Sequence, residues 1–142
     1  MANYPLPKFH FRVEWGGTNI GFSEVTGLEI KNKAIAYREG SSPIFSNLQM
    51  PGMMEWSPLI FKRGTVAGDN DFYTWINTIS MNTVERRDIT VSLLNENHDP
   101  VFTWKVLNAF PTKVQASDLK ADGSEVAIET LEITHEGLSL MN

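Results

Sequence analysis

Residues 9–15, FHFRVEW, alternate without error: Phe9, Phe11, Val13 and Trp15 fall on one face, His10, Arg12 and Glu14 on the other. A period of two with one apolar side predicts a half-buried strand. Gly16-Gly17-Thr18-Asn19 follows as turn chemistry, and GFSEVTGLEI (21–30) as a second strand interrupted by Gly27, so the two are expected to pair as a hairpin. AIAYREG (34–40) predicts a strand ending at Gly40, and WSPLIFKRG (56–64) another. Over DNDFYTWINTISM (69–81) the period changes: Phe72, Trp75, Ile76 and Ile79 form one helical stripe, with Asp69 or Asp71 as the expected N-cap. DITVSLL (88–94), with Ile89, Val91 and Leu93 inward, and PVFTWKVLNAF (100–110), with Phe102, Trp104 and Val106 on one face, predict a second hairpin. In SEVAIETLEITHEGL (124–138) Val126 and Ile128 are even but Leu131 and Ile133 odd, which predicts a bulge or bend near Glu129 and Thr130. Six or seven strands and one helix indicate a mainly β fold. The expected architecture is a small antiparallel β-barrel or sandwich with one flanking helix, a single domain over residues 1–142.

One segment breaks the pattern. GSSPIFSNLQMPGMM (40–54) has the punctuation of a loop and no charge, yet it holds Ile44, Phe45, Leu48, Met50, Met53 and Met54, including three of the chain's six methionines. Loops run over the surface, where water satisfies their backbone, and methionine suits adaptable contacts. Such a stretch is either folded beneath its own domain or reserved for a partner.

The totals narrow the function. With 142 residues, 42 % of them hydrophobic and 20 % charged, the composition is that of a folded globular protein. There is no cysteine, which removes disulfide and thiol chemistry and fits synthesis in the cytoplasm. No apolar run reaches spanning length and the start has no signal-peptide pattern, so no direct membrane insertion is expected. The net charge is −5 and no basic cluster exceeds Lys62-Arg63 or Arg86-Arg87, against tight nucleic-acid binding. His10, His98 and His135 lack any metal-site spacing, the serines lack a nucleophile elbow, and no phosphate loop is present. Glu125, Glu129 and Glu132 specify no acid/base pair. No cofactor, metal or catalytic residue is expected.

Taken in order, the blocks FSEVTGLEI, YREG, FKRG, WIN, RRDITVSLLNE, PVFTWKVLNAFPTKV and SEVAIETLEITHEGL resemble the tail-tube family of contractile phages and phage-tail-like contractile injection systems. The resemblance runs from about Pro5 to Leu138 and departs from the family at the methionine-rich SNLQMPGMMEW and at the turn NENHDP. It implies a structural protein and not an enzyme, a subunit of six-membered rings that stack into the inner tube. Its implied partners are copies of itself, the contractile sheath protein, and baseplate and cap proteins. DNA or effector cargo would pass through the lumen without tight binding, in a virion tail or an extracellular or cell-anchored injection particle. In this frame residues 40–56 become an extended interaction loop, with Ile44, Phe45, Leu48, Met50, Met53 and Met54 as contacts between subunits or rings. Arg86, Arg87 and Asp88 become candidates for pairing across subunits, and His10, Arg12, Glu14, Thr90 and Ser92 for a wetted lumen wall. The rival readings are a secreted ring protein of a bacterial secretion system, a baseplate-proximal tube initiator, a monomeric ligand-binding β-barrel with the apolar loop as a lid, and a barrel enzyme.

Overall fold

A computed structural model describes residues 8, 10–16, 21–38, 40–41, 48–80, 83–123 and 125–141. Its spine is β7 (Pro100–Ala116), long enough to serve two groups of strands. The first half of β7 pairs with β6 (Arg87–Leu94) on one side and β9 (Gly137–Leu140) on the other, and its second half with β8 (Ile128–Thr134). β5 (Leu59–Gly64) lies beyond β8, and β1 (Phe11–Glu14) and β2 (Glu24–Thr26) end the path, in the order β1-β6-β7-β8-β5-β2. All pairings are antiparallel. Among the described residues no ladder joins β1 to β2, so the sheet curls into an open sandwich and not a closed barrel.

The expected β6–β7 hairpin is present, but the expected β1–β2 hairpin is not. β1 pairs with β6, Val13 opposite Val91, while β2 pairs with β5, Val25 opposite Phe61. Turn residues between two strands permit a hairpin without requiring one. Here the two strands take opposite ends of the sheet and enclose the core between them. That core holds Trp15, Leu59, Phe61, Phe72, Trp75, Ile89, Val91, Val106, Leu131, Ile133 and Leu138.

The helix α1 (Asp71–Ile76) is shorter than the 69–81 stripe. Phe72 and Trp75 are buried, whereas Ile79 lies beyond the helix and is exposed. Thr78 explains the stop, since both its backbone N–H and its hydroxyl donate to the Trp75 carbonyl and close the last turn. Asn70 occupies the N-cap position without a side-chain bond, and Asp69 Oδ1 instead accepts from the Asp71 N–H at 3.2 Å.

No phase slip occurs at Glu129 and Thr130. β8 keeps regular register with β5, and Glu129, Leu131 and Ile133 all point inward. The true inward series contains a carboxylate, which the hydrophobic pattern alone reads as outward, and Val126 precedes the strand as an exposed residue. The irregularity lies on the partner strand, between Pro111 and Lys113 of β7. Among the described residues no helix is long and apolar enough to cross a membrane.

Candidate assembly surface

The segment expected as a loop at 40–56 is in large part a strand. β4 (Leu48–Trp56) pairs with β3 (Ile30–Tyr37) in a separate two-stranded sheet, an arm projecting from the body. Ile30 faces Trp56 in the arm and Thr26 faces Ile60 in the β2–β5 ladder, so the register carries across the break without a slip. The arm is therefore the outer reach of one long hairpin that starts in the body. The break between its halves has two local causes. Gly27, at φ +96°, packs so tightly on Pro58 that an added Cβ would overlap the Pro58 carbonyl oxygen; and Pro58 has no N–H to give the ladder. Further out, a bulge between Asn32 and Ala34 is held by one side chain: Asn32 Nδ2 donates to the Gly52 carbonyl (3.0 Å) and Asn32 Oδ1 accepts from the Gly52 N–H (3.3 Å). Gly52 is obligatory there, because a Cβ would overlap the Lys33 carbonyl oxygen.

Beyond the bulge, directly paired residues share a face. Ile35 lies opposite Met50 and Tyr37 opposite Leu48, which gives one face four large apolar side chains, while Ala34, Ala36, Pro51 and Gln49 make the other. All of the large ones are open to solvent, Leu48 at 65 % exposure; Met53, in the bulge, reaches 83 %, and Met54 and Ile30 are also exposed. Of the six apolar residues singled out in the segment, Leu48, Met50, Met53 and Met54 thus sit on the arm, and Ile44 and Phe45 lie outside the described residues. At the base of the arm Leu28 and Trp56 pack on the core. Beside them His135 Nε2 lies 3.2 Å from the Ser57 carbonyl, which can only accept, so this nitrogen carries the proton. Burial holds the His135 pKa below its ordinary value, outweighing the opposing backbone hydrogen bonds.

The body end of the hairpin is fixed by a charge cluster that the hydrophobic pattern conceals. Arg63 on β5 is 0 % exposed; its Nε donates to Glu129 Oε1 (3.2 Å), its Nη2 to Asp69 Oδ1 (3.2 Å), and its guanidinium lies 3.9 Å from the Phe72 ring centroid. A buried guanidinium persists only when paired, and two carboxylates and a π-face supply the pairing. Strict alternation in LIFKRG carries the signal, since Leu59, Phe61 and Arg63 share the inward phase.

The remaining candidates divide into two groups. Arg86, Arg87 and Asp88 are engaged within the chain, at the corner where β7 passes between strand groups. Arg86 bonds Glu136 (2.9 Å) and lies over Phe110; Arg87 bonds Glu85 (3.1 Å) and stacks on Trp75; Asp88 Oδ1 accepts from the Asn108 N–H (3.0 Å). The other group forms polar rows across one sheet face. Arg12 pairs with Ser92 and Ser92 with Thr103; Glu14 pairs with Thr90, Thr90 with Lys105, and Lys105 with Ser139. Arg12 and Glu14 also form an exposed ion pair at 3.3 Å. Ser92 departs from the expected open wall: it is 4 % exposed, because a short side chain between Arg12 and Thr103 is covered by its neighbours and bonds the Thr103 hydroxyl (3.3 Å). His10 stands at the start of β1 against His98, with ring nitrogens 3.1 Å apart.

The described residues thus form an open β-sandwich with a hairpin arm that exposes an apolar face and a sheet face crossed by polar rows. Residues 7–139 match the family described as T4-like virus tail tube protein gp19, and the chain belongs to that family. It is 31 % identical to a chain of the sheath–tube complex, in the extended state, of the extracellular contractile injection system PVC, with a TM-score of 0.89 over 98 % of this chain and 93 % of that one. A chain of the anti-feeding prophage tube-terminating cap is also 31 % identical, with a TM-score of 0.91 over 100 % and 94 %. Hcp1 from Flavobacterium johnsoniae, at 14 % identity, shares the fold with a TM-score of 0.58 over 94 % and 95 %. No curated protein sequence matches the chain.

Proposed function

We propose that this chain is the structural repeat of an inner tube: six copies close into a ring, rings stack, and the β3–β4 arm of each copy packs on neighbours in its own or the adjacent ring. The observation that carries the reading is an arm with large apolar side chains on one face and, among the described residues, no core of its own behind them. Burying each such side chain is worth about 1.5–3 kcal/mol. In a closed ring the neighbours are already in place, so successive contacts become effectively intramolecular. The polar rows across β1, β6, β7 and β9 line the conduit, where short hydroxyls and mixed charges let DNA or effector cargo slide without sticking. Arg86, Arg87 and Asp88 shape the corner beside it and can exchange partners with a neighbouring copy. A sheath encloses the tube, and baseplate and cap proteins bound its ends. The subunit is made in the cytoplasm and acts in a tail or injection particle, as a scaffold and not a catalyst.

The test is Leu48→Asp with Met50→Asp, compared with the unaltered chain by negative-stain imaging and circular dichroism. A folded doubly substituted chain that no longer forms rings or hollow filaments supports the arm as the contact. A chain that unfolds, or one that polymerises as before, overturns it.

A further inference from the structure

We propose that His10 and His98 form a binding site for a borderline divalent transition-metal ion of the Zn²⁺, Ni²⁺ and Cu²⁺ class. His98 Nδ1 and His10 Nε2 are 3.1 Å apart, with the rings nearly perpendicular at 87° and their centroids 4.9 Å apart. Two nitrogens bound to one ion at about 2.0–2.1 Å, at tetrahedral or right angles, must themselves lie about 2.9–3.4 Å apart. The pair already stands at that separation, although its members are 88 positions apart in the chain.

The backbone on both sides holds it there. The Leu94 N–H donates to the His10 carbonyl at 2.9 Å, fixing the start of β1 against the end of β6. The turn that carries His98 is closed by Asn95, whose Oδ1 accepts from the N–H groups of Asn97 (2.8 Å) and Asp99 (3.0 Å), and whose carbonyl accepts from His98 (3.0 Å). His98 itself takes φ +64°, a conformation in which Asn, Asp and His are the enriched side-chain-bearing residues. The turn thus fixes the backbone of His98, from which the exposed ring reaches His10.

Chemistry selects the ion. Neutral imidazole is a good ligand for zinc, nickel and copper, whereas magnesium and calcium demand oxygen. Without metal, an N–H of one ring donates a hydrogen bond to the facing nitrogen of the other. On coordination the neutral pair tautomerises, so that this proton sits on the far nitrogen of its own ring and both facing lone pairs go to the ion. The rings rotate slightly to converge, which their exposed setting allows. Among the described residues no third His, Cys, Asp or Glu completes a cluster, so water fills the remaining positions and the site is open and of modest affinity. An ion held there clamps the edge strand β1 to the β6–β7 turn.

The experiment is calorimetric titration of Zn²⁺ and Ni²⁺ into the tag-free chain and into His10→Gln and His98→Asn, with Mg²⁺ as control. Asn tolerates the left-handed backbone at position 98 and both sites are on the surface, so the variants keep the fold. The expected result is about one ion per chain, at least a tenfold loss of affinity in each variant, and no Mg²⁺ binding. Imidazole ¹⁵N spectra should move at His10 Nε2 and His98 Nδ1 and stay fixed at His135. Full affinity in either variant, or no Zn²⁺ or Ni²⁺ binding up to millimolar concentration, overturns the proposal.

Discussion

β4 and β5 are separated by two residues and belong to the same long hairpin, yet their surroundings are opposite. In β5, Leu59, Phe61 and Arg63 are buried in strict alternation; in β4, Leu48, Met50, Met53 and Met54 all stand in solvent. Apolar content therefore does not decide burial here. What decides it is whether a second layer lies behind the strand: β5 has the helix and the opposing strands, whereas among the described residues β4 pairs with β3 alone. Among the described residues the body buries its apolar side chains, and the arm leaves its own in solvent.

The largest effect that sharpens this contrast is expected at Arg63. Arg63→Ala leaves the buried carboxylates of Glu129 and Asp69 without their cation, at a cost of about 3–5 kcal/mol. Met53→Asp, on the arm, is expected to change the stability of the unassembled chain by no more than about 0.5 kcal/mol. Urea denaturation of the two variants measures both. A mild Arg63→Ala would mean that the cluster is not anchoring the hairpin, and a severe Met53→Asp that the arm is part of the folding core.

Arg63 also marks the limit of what could be read from the chain. Where one strand face is apolar and the other polar, as in FHFRVEW and DITVSLL, alternation located the strands to within a residue or two, because a period of two has few other physical causes. The stripe of the helix was legible for Phe72 and Trp75, but Thr78 ends the helix through a backbone contact that no periodicity encodes. The inward places of Arg63 and Glu129 were not legible because charge normally means solvent, and the apparent phase slip of β8 came from the apolar Val126 and Ile128, which lie before and at the start of the strand at even positions. Pro51 and Gly52 were read as loop residues. A two-stranded arm tolerates both, since each of its strands has a free edge where a missing N–H costs nothing, and the bulge needs a residue without a Cβ. The exposed arm residues Leu48, Met50, Met53 and Met54 were found by composition, whereas the pairing that displays them came only from the register with β3.

A second, smaller effect follows at the bulge. Gly52→Ala would drive a methyl group into the Lys33 carbonyl oxygen and displace the two bonds from Asn32, costing about 1–3 kcal/mol for a buried-like steric clash. Because the arm has its own ladder, the loss should be local. Hydrogen exchange is expected to accelerate at the β3–β4 amides and to stay slow in β6 and β7. Uniform acceleration through the body would show that arm and body unfold as one unit and would erase the distinction drawn between them.

The smallest effect concerns the joint itself. His135 is buried beside Trp56 and bonds the Ser57 carbonyl, so it touches both the arm's base and the body. Burial lowers its folded-state pKa below the unfolded value of about 6.5. The unfolded chain then binds the proton more readily. The contribution of this group to stability is full above pH about 6.5 and is lost as the pH falls from there through the folded-state pKa. His135→Gln keeps a donor toward Ser57 but cannot titrate, and the slope of stability against pH in that window should flatten, which denaturation at a series of pH values reads directly. If the slope survives the substitution, another group carries it. If the slope flattens while arm amides in the unaltered chain open faster at low pH than body amides do, protonation acts at the joint. The boundary between the self-contained body and the unfinished arm would then also be its most acid-sensitive point.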